Sequence, residues 1–497
     1  MEEGDVRKRG EMGLMFRKER LKEMDKEALE FTSSMEHDPN IFYYDILVDV
    51  AHVLCLHKGG YLTSREAVEI VNALAKVLKE GYSREFEDIH EAIEAKVTEI
   101  TKEGKRMHTG RSRNDEVATC LRLFARDNLL RIAENILEVQ ATILDLAEKN
   151  DAIMPGFTHL QFAQPTRLSH HLLTYYELLE KDLERVIEAF KRSNLCPLGA
   201  SAFASTSYNL DRGFVAKLLG FDGVLEHSEF AVSTRDFLIE AIFSCAMLMT
   251  NVSRIAEELI IFSTLRFVDI PEEFSSTSSI MPQKKNPDVA ELLRAKAGKM
   301  IGSLTSAMSI YKGLPFSYNR DFQEMNAILY ETLKATQASL RVLNGMLKGL
   351  RFNKEVLEAK AIEGFSIATE IADMLVRDFR VPFRDAHKIV ARLVSKGFDV
   401  TAESVEEIAR EFGYEIKLDE SKLLDAIDVK KAVERRKIVG GTSKEEVARM
   451  IGVRKEKILK HRREVLRVKK RIKARLGLLE SEVEKIGGVF RVNWEKG

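Results

Sequence analysis

Prolines constrain this chain more than any other feature, because they are so rare. Only nine occur in 497 residues, and none falls between Pro39 and Pro155, Pro197 and Pro271, Pro315 and Pro382, or after Pro382. Long proline-free tracts rich in Ala, Leu, Glu, Lys and Arg favour helices. In Glu116–Asn150, Val117, Leu121, Phe124, Leu129, Ile132, Ile136, Val139, Ile143 and Leu146 recur every three to five residues, which is helical periodicity. Thr166–Lys191, Ala231–Arg266 and Asp288–Met308 behave alike, and no long run of period-two alternation competes with them. The expected fold is all-α.

Ile242–Met249 is almost continuously apolar, as in a helix buried on every side. Several such helices imply a large bundle completed by other copies of the chain. Three mainly helical domains are expected: 1–106, a central long-helix bundle over 107–352 that completes a tetrameric core, and 353–497 with a basic helical tail. Arg454–Arg475 holds twelve Lys and Arg against Glu456 and Glu464, while Ile451, Ile458, Val465, Ile472 and Leu479 recur every seven residues. That stripe favours a docked helix with a solvated basic face over a nucleic-acid arm.

Lys+Arg and Asp+Glu number 77 and 78, so the chain as a whole is not a polyanion binder. The four cysteines form no C-x-x-C pair, which suggests neither a zinc knuckle nor a disulfide framework. The acidic first residues show no apolar leader, and Asn251, Arg254, Glu257 and Glu258 interrupt the most apolar stretch. A cytoplasmic protein with no membrane span is expected.

Three polar segments break the helical pattern: Met107–Glu116, Met154–Pro165 and Ser275–Asp288. Each precedes a long helix, with helix starts expected near Glu116, Thr166 and Asp288. Helix caps explain Asn114-Asp115 and Asn286-Pro287 but not Arg111, Arg113, Lys284 and Lys285. Such cations with Gln161, Gln164 and Gln283 suit a small polycarboxylate. No glycine-rich nucleotide loop is present, and His108 and His159 lack metal-ligand spacing, so no cofactor and no metal are expected.

Ser278-Ser-Ile-Met-Pro-Gln-Lys-Lys-Asn-Pro-Asp288 resembles the signature of the fumarase/aspartase superfamily, whose members eliminate fumarate from succinyl-type substrates. His108-Thr-Gly-Arg-Ser-Arg-Asn-Asp115, Pro155–Pro165 and Tyr318-Asn-Arg-Asp-Phe-Gln323 narrow the resemblance to the argininosuccinate lyases, in motif order from about Tyr44 to Ala448. Adenylosuccinate lyase shares the chemistry, but Arg-Ser-Arg-Asn-Asp and Gln-Lys-Lys-Asn-Pro-Asp argue against it. A silent structural or RNA-binding relative is the alternative from another class.

The resemblance implies a cytoplasmic homotetramer of arginine biosynthesis that converts argininosuccinate to arginine and fumarate. Its implied catalytic residues are Ser278 as base, His159 as acid, Glu291 as the partner of His159, and Lys284. Ser112, Arg113, Asn114, Thr158, Asn286, Tyr318, Gln323 and His90 are the implied substrate contacts. Four positions depart from the family pattern. Asp49 replaces a substrate-contacting serine, Thr277 replaces a glycine, and Met325-Asn326 replaces Asp-Lys.

Overall fold

The computed structural model describes residues 21–494 apart from 23, 398 and 399. The acidic first residues, on which the leader expectation rests, lie outside the described residues. The fold is helical, as the proline spacing predicts. Three helices lead in: α1 (Phe42–Lys58), α2 (Ser64–Glu80) and α3 (Ile89–Ile100). The bundle follows with α4 (Arg113–Lys149), then a hairpin of β1 (Ile153–Thr158) and β2 (Gln161–Arg167). Next come α5 (Leu168–Ser193) and α6 (Asp236–Thr264). A second, minimal hairpin pairs β3 (Ser276–Thr277) with β4 (Lys285–Asn286). The bundle ends with α7 (Asp288–Tyr311) and α8 (Phe322–Lys348).

α4 packs along α5 and α8, while α6 packs on α7, α5 and α8. By length and composition α6 could cross a membrane, contrary to the reading of its four polar residues. Here 61% of its most apolar 18-residue window is buried inside the protein, so it serves as the bundle's core helix.

The C-terminal region contributes to two hydrophobic cores. α9 (Ala368–Phe379), α10 (Phe383–Ser395), α11 (Ala402–Glu411) and α12 (Glu420–Ile427) surround a separate core centred on Ile371, Leu375, Ile389 and Ile408. The tail helix α13 (Lys444–Lys485) instead returns to the main core. Ile451, Ile458, Val465, Ile472 and Leu479 are all buried there, and α13 runs along α4. Each such side chain contributes roughly 1.5–3 kcal/mol when fully buried. The N-terminal helices share this same core with the bundle.

Two helix starts move from their expected places. α4 begins at Arg113 because Ser112 and Asp115 form a reciprocal capping box. The Met154–Pro165 segment is not a loop: it is the β1–β2 hairpin, and α5 starts at Leu168. Gly156 permits the strands to close, since a Cβ there would stand 2.5 Å from the Gln164 carbonyl oxygen. Phe157 faces Phe162 across the ladder and stacks towards Phe262 and Phe267, which anchors the hairpin to the bundle.

Candidate active site

The implied site residues fall into three groups. The first lies where α3, α4 and α8 begin. Ser112 accepts the Asn114 N–H as N-cap of α4. The Asn114 amide donates to the Ala202 carbonyl at 3.0 Å. Arg113, half-buried, reaches Asp88 Oδ2 at 2.8 Å. Asp88 in turn caps α3 by accepting the Glu91 N–H. Tyr318 packs edge-on against Phe322, and burial raises its hydroxyl pKa, with Asp88 and Arg113 close enough to modulate it. Gln323 donates to the Thr32 carbonyl at 3.0 Å, beside Arg320, which bridges Thr32 and Glu87.

Beneath this group lies a buried charge network absent from the sequence reading. Asp115 accepts the N–H groups of Ser112, Gly199 and Ser201, tying the 199–202 turn to the start of α4. Burial pushes its carboxyl up to about 6 against those three donors. Arg111 bridges Asp49 at 2.5 Å and Glu116 at 2.9 Å, all three side chains being 2% exposed. Arg111 is therefore a structural cation rather than a free substrate clamp.

His90 belongs to the same network. Its ring is buried, with Nδ1 donating to Asp45 at 2.8 Å and the Glu116 carboxylate standing 3.8 Å from the same nitrogen. Burial opposes the imidazolium, but Asp45 and Glu116 outweigh it and hold the pKa up at about 10. Burial likewise raises Asp49 to about 7 and Glu116 well above the usual carboxylate range. Three carboxylates against two cations leave one negative charge in excess, which a retained carboxyl proton removes. Asp45, His90 and Glu116 also lie close enough together to hold a metal ion. The Arg111 guanidinium on Glu116 opposes a metal there, because it already supplies the positive charge.

The second group is the hairpin tip. Thr158 ends β1, and His159-Leu160 forms the two-residue turn with φ 55° and 57°. Both residues occupy the left-handed region that such turns usually fill with Asn-Gly. Holding them there costs roughly 1–3 kcal/mol each, a strain commonly stored at functional sites. His159 is exposed, and Leu160 is 73% exposed. The tip borders a groove of ≈ 820 Å³ that also takes in Arg294, one turn beyond Glu291 on α7.

The third group is the signature loop. Ser278 Oγ accepts backbone N–H groups from Ile280 at 3.3 Å and Met281 at 3.1 Å. The Ser278 N–H donates to the Lys284 carbonyl and the Lys284 N–H to that of Met281, closing the loop. Lys285 is held by Asp269 at 2.6 Å, while the Lys284 ammonium makes no ion pair among the described residues. Asn286 lies on β4, and exposed Glu291 sits one turn into α7, its N–H bonded to Pro287. Among the described residues, no side-chain hydrogen bond or ion pair joins His159, Ser278, Lys284 or Glu291 to one another.

Comparison with known proteins follows the same lines. A family profile described as Lyase matches residues 19–302, and one described as Argininosuccinate lyase C-terminal matches 365–434. The argininosuccinate lyase of Archaeoglobus fulgidus is 58% identical over 95% of this chain and 99% of its own length. That of Methanosarcina acetivorans is 45% identical over 90% and 93%. Among solved structures, an EDDS lyase variant with bound fumarate superposes with TM-score 0.82 at 30% identity, over 90% of this chain and 92% of that one.

Proposed function

The chain belongs to the argininosuccinate lyase family of the fumarase/aspartase superfamily, and we propose that it splits argininosuccinate into arginine and fumarate, with Ser278 as base and His159 as acid. The observation that carries this reading is the Ser278 hydroxyl, held as acceptor of two backbone N–H groups in the loop of Lys284, which makes no ion pair among the described residues. Donors aimed at an oxygen favour its charged form and lower its pKa. Ser278, as alkoxide, takes a proton from the carbon next to a carboxylate. The carbanion's charge passes into that carboxylate, where Lys284 and Asn286 meet it as a preorganised cation and donor. Collapse forms the carbon–carbon double bond and breaks the carbon–nitrogen bond. The departing guanidine nitrogen takes a proton from His159, which Glu291 orients.

The remaining contacts divide along the substrate. Arg113, Asn114, Ser112 and Thr158 hold the fumaryl end, and Tyr318 and Gln323 the arginine end. His90 acts through the buried network as a positioning residue. Asn326, where relatives carry lysine, is buried with its Oδ1 unpartnered, and so keeps an acceptor for the substrate. Asp49, where relatives carry serine, is committed to Arg111 instead.

The three groups meet between copies in a homotetramer. α7 supports this, since it buries only Ala290, Leu293, Ala297, Met300 and Ala307 and leaves Leu292, Ile301 and Met308 exposed. Gly298 and Gly302 on the same helix have no neighbour within 4 Å of an added Cβ, leaving room for a close-packed partner helix. The enzyme works in the cytoplasm, in line with four cysteines that are all free and buried. Releasing arginine makes it the arginine-forming step of arginine biosynthesis.

Incubating the purified chain with argininosuccinate, and separately with adenylosuccinate, tests the reading by fumarate absorbance. Fumarate forms from argininosuccinate alone. Turnover of adenylosuccinate alone, or of neither by the assembled protein, would overturn it.

A further inference from the structure

The docking of α13 sorts its cations into two sets. One set finds carboxylates on the body of the protein: Arg454 with Glu177, Lys455 with Glu148, Arg462 with Glu138, Lys469 with Glu134, and Arg471 with Asp222. The other set is Lys460, Arg463, Arg467, Lys470 and Lys473, which have no ion-pair partner among the described residues. At about 100° per residue these five lie largely opposite the buried Ile458–Ile472 stripe. From Lys460 to Lys473 is thirteen residue steps, about 20 Å at a rise of about 1.5 Å each. A nearly neutral chain thus carries, along the exposed side of this helix, five cations with no ion-pair partner among the described residues.

Beside one end of that row stands Trp494, the only tryptophan in the sequence. Its Nε1 donates to Asp127 at 2.8 Å, which fixes the ring, and Lys469 lies 5.7 Å from the ring centroid. The half-buried ring borders a groove of ≈ 460 Å³ that also holds Lys470 and Lys473. A second groove of ≈ 260 Å³ next to it is lined by Trp494, Lys473 and Gly477. A row of cations that tracks a backbone, ending at an immobilised aromatic face, is the arrangement that binds single strands without regard to sequence.

We propose that the outer face of α13, ending at Trp494, binds single-stranded RNA through its phosphates, with one base on the indole. None of these residues belongs to the signature loop, the hairpin tip or the α4 start, so the surface works independently of the lyase site. An acidic protein segment would use the cations but would have no need of the ring, and this difference separates the two partners.

The test is fluorescence anisotropy of a labelled oligouridylate of about 20 nucleotides with the full-length chain, titrated at salt from about 50 to 200 mM. Five phosphate contacts on a single strand give a log–log salt slope of about −3.5. The variant K460Q/R463Q/R467Q/K470Q/K473Q should lose at least about 100-fold in affinity while turning over argininosuccinate as the parent does. If that variant misfolds, K460Q/R463Q and K470Q/K473Q should each reduce the slope by about 1.4. Trp494→Ala should weaken RNA binding about tenfold, Trp494→Phe should restore it, and heparin binding should be the same in all three. No binding at about 50 mM salt, or a five-site variant that binds like the parent, would overturn the proposal. So would a Trp494→Ala variant whose RNA affinity is unchanged or falls no more than its heparin affinity.

Discussion

Ser278 Oγ accepts the Met281 backbone N–H at 3.1 Å and the Ile280 N–H at 3.3 Å, both from its own loop. A turn hydroxyl would do the same in a merely structural loop. Its proposed role draws on the same loop's Lys284, which makes no ion pair among the described residues, while Lys285 is tied to Asp269. One lysine of the pair is tied down, and the other is the one proposed to meet the substrate.

Replacing His159 with Asn should leave argininosuccinate binding intact and lower kcat by about 10²–10⁴-fold, the range for loss of a general acid. Binding measured calorimetrically, set against kcat, separates this from a substrate-contact role, which would raise KM instead.

The loop from about Pro271 to Pro287 should exchange its amide hydrogens quickly without substrate and slowly with it, as catalytic lids do. Its ladder contains only the Ser276–Asn286 and Thr277–Lys285 pairs. Hydrogen-exchange mass spectrometry checks this, and full protection in the free enzyme would contradict it.

The two hairpins show where sequence reading stops. Helical periodicity marked α4, α5, α6 and α7, because a buried stripe of Val, Leu and Ile repeats visibly. β1 and β2 escaped because Pro155, Gly156 and Pro165 break the alternation, and their pairing depends on Phe157 meeting Phe162 across a turn. Ser278 and His159 were legible as motif residues. The ion network was not, since Asp45, His90 and Arg111 come from separate segments and no spacing in the sequence brings them together. Asp88, N-cap of α3 and partner of Arg113, carried a signal that could have been used: an Asp directly before an apolar-periodic run.

Removing the centre of that network should be costly. Arg111→Ala leaves Asp49 and Glu116 buried without their cation, and breaking a buried pair typically costs about 3–5 kcal/mol. A marked fall in the denaturant midpoint is expected, with the start of α4 the first segment to lose exchange protection.

His90 predicts a pH dependence with a definite sign. Its pKa rises from 6.5 in the unfolded chain to about 10 in the folded one. The stabilisation it supplies is therefore complete below about pH 6.5 and is lost as pH rises through about 10. Thermal melts should show His90→Gln far below the parent at pH 6–7, with the gap closing towards pH 10. A constant gap would contradict the charged state.

The face of α7 makes an assembly prediction. Ile301 is 51% exposed. In the proposed tetramer, Ile301→Asp would place a charge in the contact between copies, and sedimentation should show smaller species than the parent forms, with activity lost in parallel. Full activity in a monomer would contradict the shared site.

The most direct test of the account follows the substrate's methylene protons in heavy water, comparing Ser278→Ala with His159→Asn. Ser278→Ala should bind argininosuccinate, form almost no fumarate and show no exchange of deuterium into the methylene position. His159→Asn should retain exchange while product formation stalls. If Ser278→Ala exchanges that proton at the parent's rate, Ser278 is not the base.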